Sequence, residues 1–129
     1  MTHASRYLQA QRETASAERL MVLLFQRALR EIRAGAAAIE ARQRAEANRA
    51  LTRAGEIVSE LHATLDTRRA PELCQQLGEI YRFVTGRITL ANLRQDARLA
   101  REAERAFAPI VDGFENAVAS LTTQAQGAR

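Results

Sequence analysis

The residues of this sequence that could do metal or acid–base chemistry are few and widely spaced. Two histidines, His3 and His62, and one cysteine, Cys74, are present. Asp66 follows His62 by four residues, so one helical turn offers at most two metal ligands. A zinc or di-iron bundle needs Glu-x-x-His motifs on two helices and two further glutamates. The sequence therefore predicts no metal site and no cofactor, and we expect Cys74 to be a small buried hydrophobe.

The glycines do not form a recognisable nucleotide or catalytic motif. Neither a phosphate-binding loop nor a dinucleotide fingerprint nor a nucleophile elbow occurs. Gly35, Gly55 and Gly78 lie inside helical patterns, where we expect them to permit close helix packing. These observations indicate that the protein is not an enzyme.

The basic residues could in principle bind nucleic acid. All 19 of them are Arg, against 15 acidic residues, which gives a formal net charge of +4. One ridge follows a 4,3,4 helical spacing: Arg94, Arg98, Arg101 and Arg105. Acidic residues are interleaved with this ridge, and no aromatic side chain lies among the arginines to stack on bases. We favour a solvated face with local pairs such as Arg98 with Glu102, and a nucleic-acid-binding bundle is the weaker alternative.

The elements that must position all these residues are predicted to be helices. Two Pro and six Gly in 129 residues are too few turn signals for an all-β fold. Apolar residues recur at spacings of three and four in four segments, which predict helices over residues 16–42, 46–66, 71–93 and 96–122. The short joints favour a single-domain, all-α, antiparallel up-down four-helix bundle. Pro109 is expected to kink or divide the fourth helix.

The N-terminal segment, residues 1–15, is polar except for Tyr7 and Leu8. We expect it to be a partly mobile arm, in which Tyr7 either packs on its own bundle or docks on another protein. It lacks the apolar stretch of a secretory signal, and the chain has no run of about 18 uncharged apolar residues. The sequence therefore favours a cytoplasmic protein without stable membrane insertion.

The helices carry more apolar side chains than one stripe per helix requires. Either a broad stripe faces the core, or some of these side chains form grooves for an amphipathic partner helix or for the N-terminal segment. Six residues are the candidate groove residues: Leu20, Leu24, Tyr81, Phe83, Leu90 and Phe107.

A series of short motifs keeps a fixed order and nearly ungapped spacing from about Tyr7 to Val118. The series comprises the stretch from Thr14 to Leu20, Leu24-Phe25, Ile39-Glu40, Ala47-Asn48, Glu60-Leu61, Leu65-Asp66, Leu77, Ile80-Tyr81, Arg87-Ile88, Ala91-Asn92 and Asp96. Together these motifs resemble the FliS family of flagellar secretion chaperones. The resemblance implies an antiparallel four-helix bundle with an N-terminal cap segment.

The resemblance also implies a function. Such a protein is a cytosolic chaperone that binds the C-terminal helical segment of flagellin, prevents premature polymerisation and delivers flagellin to the flagellar type III export gate. Tyr7 matches the tyrosine implicated in contacting the gate protein FlhA. Pro109 departs from the family pattern, which leaves open a chaperone-like paralogue for another secreted or regulatory helix. Whether the client-free protein forms a homodimer is also left open.

Overall fold

Four α-helices account for most of residues 2–127, the part of the chain that the computed structural model describes. Helix α1 spans His3–Glu40, α2 Arg44–Ala63, α3 Pro71–Arg94 and α4 Ala97–Gly127. No strand occurs within residues 2–127. The all-α prediction is thereby confirmed.

Helix α1 begins earlier than the sequence pattern indicates. Thr2 caps it, because its hydroxyl oxygen accepts a hydrogen bond from the backbone N–H of Ser5 at 3.3 Å. Neither Gly nor Pro follows before Gly35, so the helix continues through the segment expected to be an arm. The described side chains between residues 2 and 17 are exposed, so they contribute nothing to the core.

Helices α3 and α4 begin at the signals that the sequence carries. Pro71 lies in the first turn of α3, where its missing N–H costs no hydrogen bond. Asp96 accepts a hydrogen bond from the backbone N–H of Arg98 at 3.0 Å, which confirms it as the cap of α4. Gln95, before it, has a left-handed backbone with φ of 50° and ends α3.

The helices pack in a ring, in which α1 lies against α2 and α4, and α3 lies against the same two helices. Because the connections are short, consecutive helices run antiparallel. Polar contacts join neighbouring helices. The Asn92 amide on α3 donates to Asn48 Oδ1 on α2 at 2.8 Å, and Arg101 on α4 pairs with Glu40 on α1 at 3.4 Å. The result is an up-down-up-down bundle.

The core of the bundle contains an aromatic cluster between α1 and α4. The ring of Phe25 lies 6.0 Å from that of Phe107 and 4.8 Å from that of Phe114, measured between centroids. Aliphatic and Ala side chains fill the remaining core, and the small ones allow the helices to approach closely. Cys74 is buried, and its thiol donates to the Asp66 carbonyl oxygen at 3.2 Å.

The four helices differ in length, and this difference leaves one end of the bundle open. At 1.5 Å per residue, the 38 residues of α1 extend about 57 Å, whereas the 20 residues of α2 extend only about 30 Å. Helices α1 and α4 therefore continue past the connection between α2 and α3. Beyond that connection only α1 and α4 continue, so the end of the core is covered by two helices and not by four.

Helix α4 passes through Pro109 without being divided. Pro109 is exposed, so the Arg105 carbonyl that loses its helical partner faces water, which can satisfy it. Among the helices within residues 2–127, none is long and apolar enough to cross a membrane.

Candidate functional site

An apolar groove of about 530 Å³ opens at the end of the bundle where α2 and α3 are joined. All four helices contribute to it. Its lining residues are Met21 and Phe25 from α1, Leu61, Thr64, Leu65 and Asp66 from the end of α2 and the following loop, Leu73, Leu77 and Tyr81 from α3, and Ile110, Gly113, Phe114 and Ala117 from α4.

The groove exists because its walls lack a covering element. Met21, Leu77 and Phe114 pack against the core with one side and stay partly exposed on the other. Leu73, on the rim, is 54% exposed. A Cβ added at Gly113 would meet nothing within 4 Å, so this glycine leaves open space in the wall formed by α4. An uncovered apolar groove between helices is the kind of surface that takes the apolar face of an amphipathic helix.

Tyr81 lies at the buried floor of the groove and is only 2% exposed. Its ring packs beside that of His62, with 5.8 Å between centroids. Burial raises the pKa of Tyr81 to about 12, so the phenol is neutral at physiological pH. Tyr81 therefore contributes packing surface to the groove and no charge.

The six groove residues predicted from the sequence are not brought together. Only Tyr81 lines this groove. Phe107 is 0% exposed in the aromatic cluster, so its assignment to a partner-binding surface is corrected: it is a core residue. Leu24 and Leu90 are half-buried against the core, away from the groove lining.

The remaining predicted residues, Leu20 and Phe83, are exposed but lie outside the groove. The guanidinium carbon of Arg87 lies 4.7 Å from the centroid of the Phe83 ring, and Arg87 Nε also pairs with Glu102 at 2.8 Å. One face of the Phe83 ring is therefore covered by the guanidinium of Arg87 from the same helix. Tyr7 is exposed near the beginning of α1, far along the helix from the groove.

The groove residues that the sequence missed had been assigned to the core. The spacing of three and four predicts a buried seam on α3 that comprises Leu73, Leu77, Ile80, Val84, Ile88 and Ala91. Val84, Ile88 and Ala91 are buried as predicted, but in the first half of α3 the buried residues are Cys74, Gly78 and Tyr81. On α4 the spacing predicts a seam that comprises Leu99, Ala103, Ala106, Ile110, Phe114, Ala117 and Leu121. Leu99 and Ala103 are buried as predicted, but further along α4 Phe107 and Val111 are buried while Ile110 and Phe114 are only half-buried. Near the groove, α3 and α4 therefore face the core with the neighbouring apolar stripe, and Leu73, Leu77, Ile110 and Phe114 of the predicted stripes line the groove. Two adjacent apolar stripes on α3 and on α4 were the signal in the sequence.

Two of the four arginines of the ridge are ion-paired, and Arg94 and Arg105 have no ion-pair partner within residues 2–127. Arg101 contacts Glu104 at 3.0 Å in addition to Glu40, and Arg98 approaches Asp96 at 3.8 Å. Glu102 pairs with Arg87, so the predicted pair between Arg98 and Glu102 does not form. This pairing compensates the charge of Arg101 and reduces the positive charge that phosphate binding would use. Within residues 2–127, no group of three or more His, Cys, Asp or Glu side chains is placed to hold a metal ion.

Comparison with known proteins gives consistent matches. Residues 1–121 match the family model described as flagellar protein FliS. The chain is 31% identical over 114 residues to the flagellar secretion chaperone FliS of Bacillus subtilis, covering 88% of this chain and 84% of that protein. It is 28% identical over 108 residues to the flagellar secretion chaperone FliSB of Pseudomonas aeruginosa, covering 84% of this chain and 86% of that protein.

Proposed function

The chain belongs to the FliS family and is a flagellar export chaperone; we propose that its client is flagellin, bound through the client's C-terminal helical segment. In this proposal the protein acts in the cytoplasm. It keeps flagellin from polymerising prematurely and delivers it to the flagellar type III export gate.

The observation that carries this proposal is the apolar groove at the open end of the bundle. A client helix with apolar side chains at i, i+3, i+4 and i+7 can place that stripe against Met21, Leu77 and Phe114. Met side chains adapt to ligands of differing shape, and the space beside Gly113 can receive a bulky client side chain. Covering the client stripe removes the surface through which client molecules would associate.

Such binding needs no catalytic group, and it is reversible. A disordered client segment must be ordered when it binds, which costs about 2–5 kcal/mol of the interaction free energy. The complex can therefore be specific and still release its client at the export gate.

The exposed candidates from the sequence extend this proposal beyond the groove. Leu20 on α1 and Phe83 on α3 are available for further client contacts, with Leu24 and Leu90 partly accessible beside them. We assign Tyr7 to contact with the gate protein FlhA, because it lies on the part of α1 that projects past the core. The open groove is also a surface through which client-free copies could form a homodimer.

The test is co-expression with flagellin that carries or lacks its C-terminal helical segment. A stable one-to-one complex is expected only with the intact segment. The variant Gly113→Gln should weaken the complex at least tenfold, because its amide would occupy the groove and lose hydrogen bonds to water under an apolar ligand. Ala119→Gln is the matched control, since Ala119 is an exposed residue of the same helix outside the groove lining.

Equal binding of full-length and truncated flagellin would overturn the proposed client segment. If flagellin did not bind and another secreted or regulatory protein bound in a manner that Gly113→Gln disrupts, the groove would serve a different client and the flagellin assignment would be wrong.

A further inference from the structure

A second cavity, of about 330 Å³, lies between the end of α2 and the beginning of α3, next to the groove. Its polar side chains are those of His62 on α2, Thr67 in the connection, and Gln75 and Arg82 on α3. Among the described lining residues none is Asp or Glu, and Arg82 carries the one permanent charge. This cavity, which we call the His62–Arg82 pocket, therefore suits a different ligand group from the apolar groove.

Gly78 allows the two basic side chains of this pocket to face the same space. A Cβ added at Gly78 would lie 3.3 Å from His62 Nε2 and 3.5 Å from Arg82 Nη1. Both nitrogens are therefore close to the point where a side chain would begin, and that point is vacant because the residue is glycine.

Neither basic side chain is compensated by the protein itself. Within residues 2–127, the side chains of His62 and Arg82 form no ion pair and no hydrogen bond. The His62 ring packs beside that of Tyr81, which supports the imidazole from one side. Two nitrogen donors that converge without an acceptor can bind an anionic oxygen group, because a guanidinium donates two parallel hydrogen bonds to a carboxylate.

The pocket and the groove are continuous through shared residues. Leu65 lines both of them. Tyr81, on the floor of the groove, contacts His62 on the side of the pocket. A single ligand that covers Leu65 therefore lies at both sites, which favours a side chain of a bound protein over a free anion as the source of the carboxylate.

We propose that the His62–Arg82 pocket binds a carboxylate, and that an acidic side chain of the client supplies it while the client's apolar stripe lies in the groove. The source of the carboxylate rests on the proposed function of the groove. Arg82 binds the carboxylate oxygens, and His62 Nε2 donates to one of them when it carries the proton. Such a polar contact fixes the position of a client helix along the groove, which apolar packing alone does not.

The two histidines of the chain, His3 and His62, allow a direct test. NMR spectra of the imidazole Cε1–Hε1 groups are recorded while Ac-Glu-NH2 or its neutral counterpart Ac-Gln-NH2 is added at constant pH and ionic strength. Ac-Glu-NH2 should shift the His62 signal with half-saturation at about 10–100 mM, because a single partly exposed ion pair binds weakly. The His3 signal should show no saturation, and Ac-Gln-NH2 should shift neither signal.

Variants on α3 connect this response to the pocket. Arg82→Gln should raise the half-saturating concentration at least fivefold. Arg94→Gln removes the same charge from an exposed position outside the pocket lining, so it should stay within twofold. Gly78→Ala should also weaken binding, because its methyl group occupies the space between the two nitrogens, whereas Gly86→Ala should not.

Three results would overturn the carboxylate site. These are a His62 signal that does not saturate with Ac-Glu-NH2, an equal response to Ac-Gln-NH2, and a response that Arg82→Gln leaves unchanged.

Flagellin binding tests the source of the carboxylate. Arg82→Gln should weaken the flagellin complex at least fivefold, and Arg94→Gln should leave its Kd within twofold. If Ac-Glu-NH2 shifts His62 but flagellin binds Arg82→Gln as tightly as the unsubstituted protein, the pocket takes free anions and the client does not occupy it.

These results also separate the pocket from the flagellin assignment. If flagellin fails to bind while His62 responds to Ac-Glu-NH2, the flagellin assignment falls and the carboxylate site stands. If flagellin binds through its C-terminal segment while His62 does not respond, the flagellin assignment stands and the carboxylate site falls.

Discussion

Leu51 on α2 occupies the space that a side chain at Gly35 on α1 would need. A Cβ built on Gly35 would lie 2.6 Å from Leu51 Cγ, well inside van der Waals contact. Leu51 is fully buried, so it cannot move into solvent to relieve such a contact. The absence of a side chain at Gly35 therefore sets how closely α1 and α2 approach.

We expect Gly35→Ala to destabilise the protein by about 1–2 kcal/mol. Replacing a helical Gly by Ala normally stabilises by about 0.5–1 kcal/mol, but overpacking a core costs about 1–3 kcal/mol. Gly86→Ala is the control, because a Cβ there meets nothing within 4 Å and only the stabilising effect should appear. Urea denaturation of both variants gives the free energies of unfolding. A stabilised Gly35→Ala protein would show that the helices separate easily.

Truncating Phe107 should destabilise the protein far more than truncating Phe83. Phe107 is fully buried against Phe25, so Phe107→Ala should lower the free energy of unfolding by about 3–5 kcal/mol. Phe83 is 43% exposed and covered on one side by Arg87, so Phe83→Ala should cost about 1 kcal/mol or less. Thermal denaturation followed by circular dichroism checks both values. Similar costs for the two variants would contradict this division between core and surface.

The number of helices and their types could be predicted from sequence periodicity, because a spacing of three and four over many residues has one structural interpretation. The buried faces of α3 and α4 could be predicted only away from the groove, where Val84, Ile88 and Leu99 are buried as the spacing indicates. Leu73 and Cys74 begin two adjacent apolar stripes on α3, and either stripe could face a core. Which one is buried depends on where α2 ends and on how α4 is rotated, and both are properties of the assembled bundle.

The early start of α1 was missed for a related reason. The polar residues between Thr2 and Ser16 have no apolar period, and periodicity was the signal used to place helices. Helix propensity, the Thr2 cap and continuity with a packed helix suffice to extend α1 into this segment, whose described side chains are exposed.

The ion pairs of Glu104 should make the stability of the protein depend on pH. Burial disfavours the ionised form of Glu104, but hydrogen bonds from Arg33 and Arg101 outweigh it and hold the pKa below its ordinary value of 4.5. A group with a lowered folded-state pKa stabilises the protein above its unfolded-state pKa, and this contribution is lost as the pH falls through the folded-state value.

We therefore expect Glu104→Gln to cost about 1 kcal/mol at pH 7, since each of its two pairs is partly exposed. The difference from the unsubstituted protein should shrink as the pH falls below about 4. Denaturation series between pH 3 and pH 7 measure this, with Glu79→Gln as a control whose carboxylate has no ion-pair partner within residues 2–127. A pH-independent cost would mean that the Glu104 charge is not responsible.

Tyr7 should affect contact with the export gate and leave client binding unchanged. It is exposed on the projecting part of α1, so Tyr7→Ala should alter the free energy of unfolding by less than about 0.5 kcal/mol. Binding of the flagellin-loaded protein to the cytosolic domain of FlhA, measured by calorimetry, should weaken at least tenfold. The neighbouring variant Leu8→Ala is the control. An equal loss of flagellin binding by Tyr7→Ala would assign this residue to the client surface instead.

Leu73 and Leu93 are exposed leucines near opposite ends of α3. Substituting each in turn distinguishes the loss of a client contact from the loss of any exposed apolar side chain. Leu73 lies on the rim of the groove, whereas Leu93 is 72% exposed near the joint between α3 and α4. Because both side chains are more than half exposed, Leu→Ser at either position should change the free energy of unfolding by less than about 1 kcal/mol.

Only Leu73→Ser removes apolar surface from the groove, and truncating a buried contact in an interface typically costs about 1–2 kcal/mol of binding free energy. We expect calorimetry to show the Kd for flagellin rising about tenfold for Leu73→Ser and staying within twofold for Leu93→Ser. A larger rise in Kd for Leu93→Ser than for Leu73→Ser would place the client at the opposite end of the bundle from the groove.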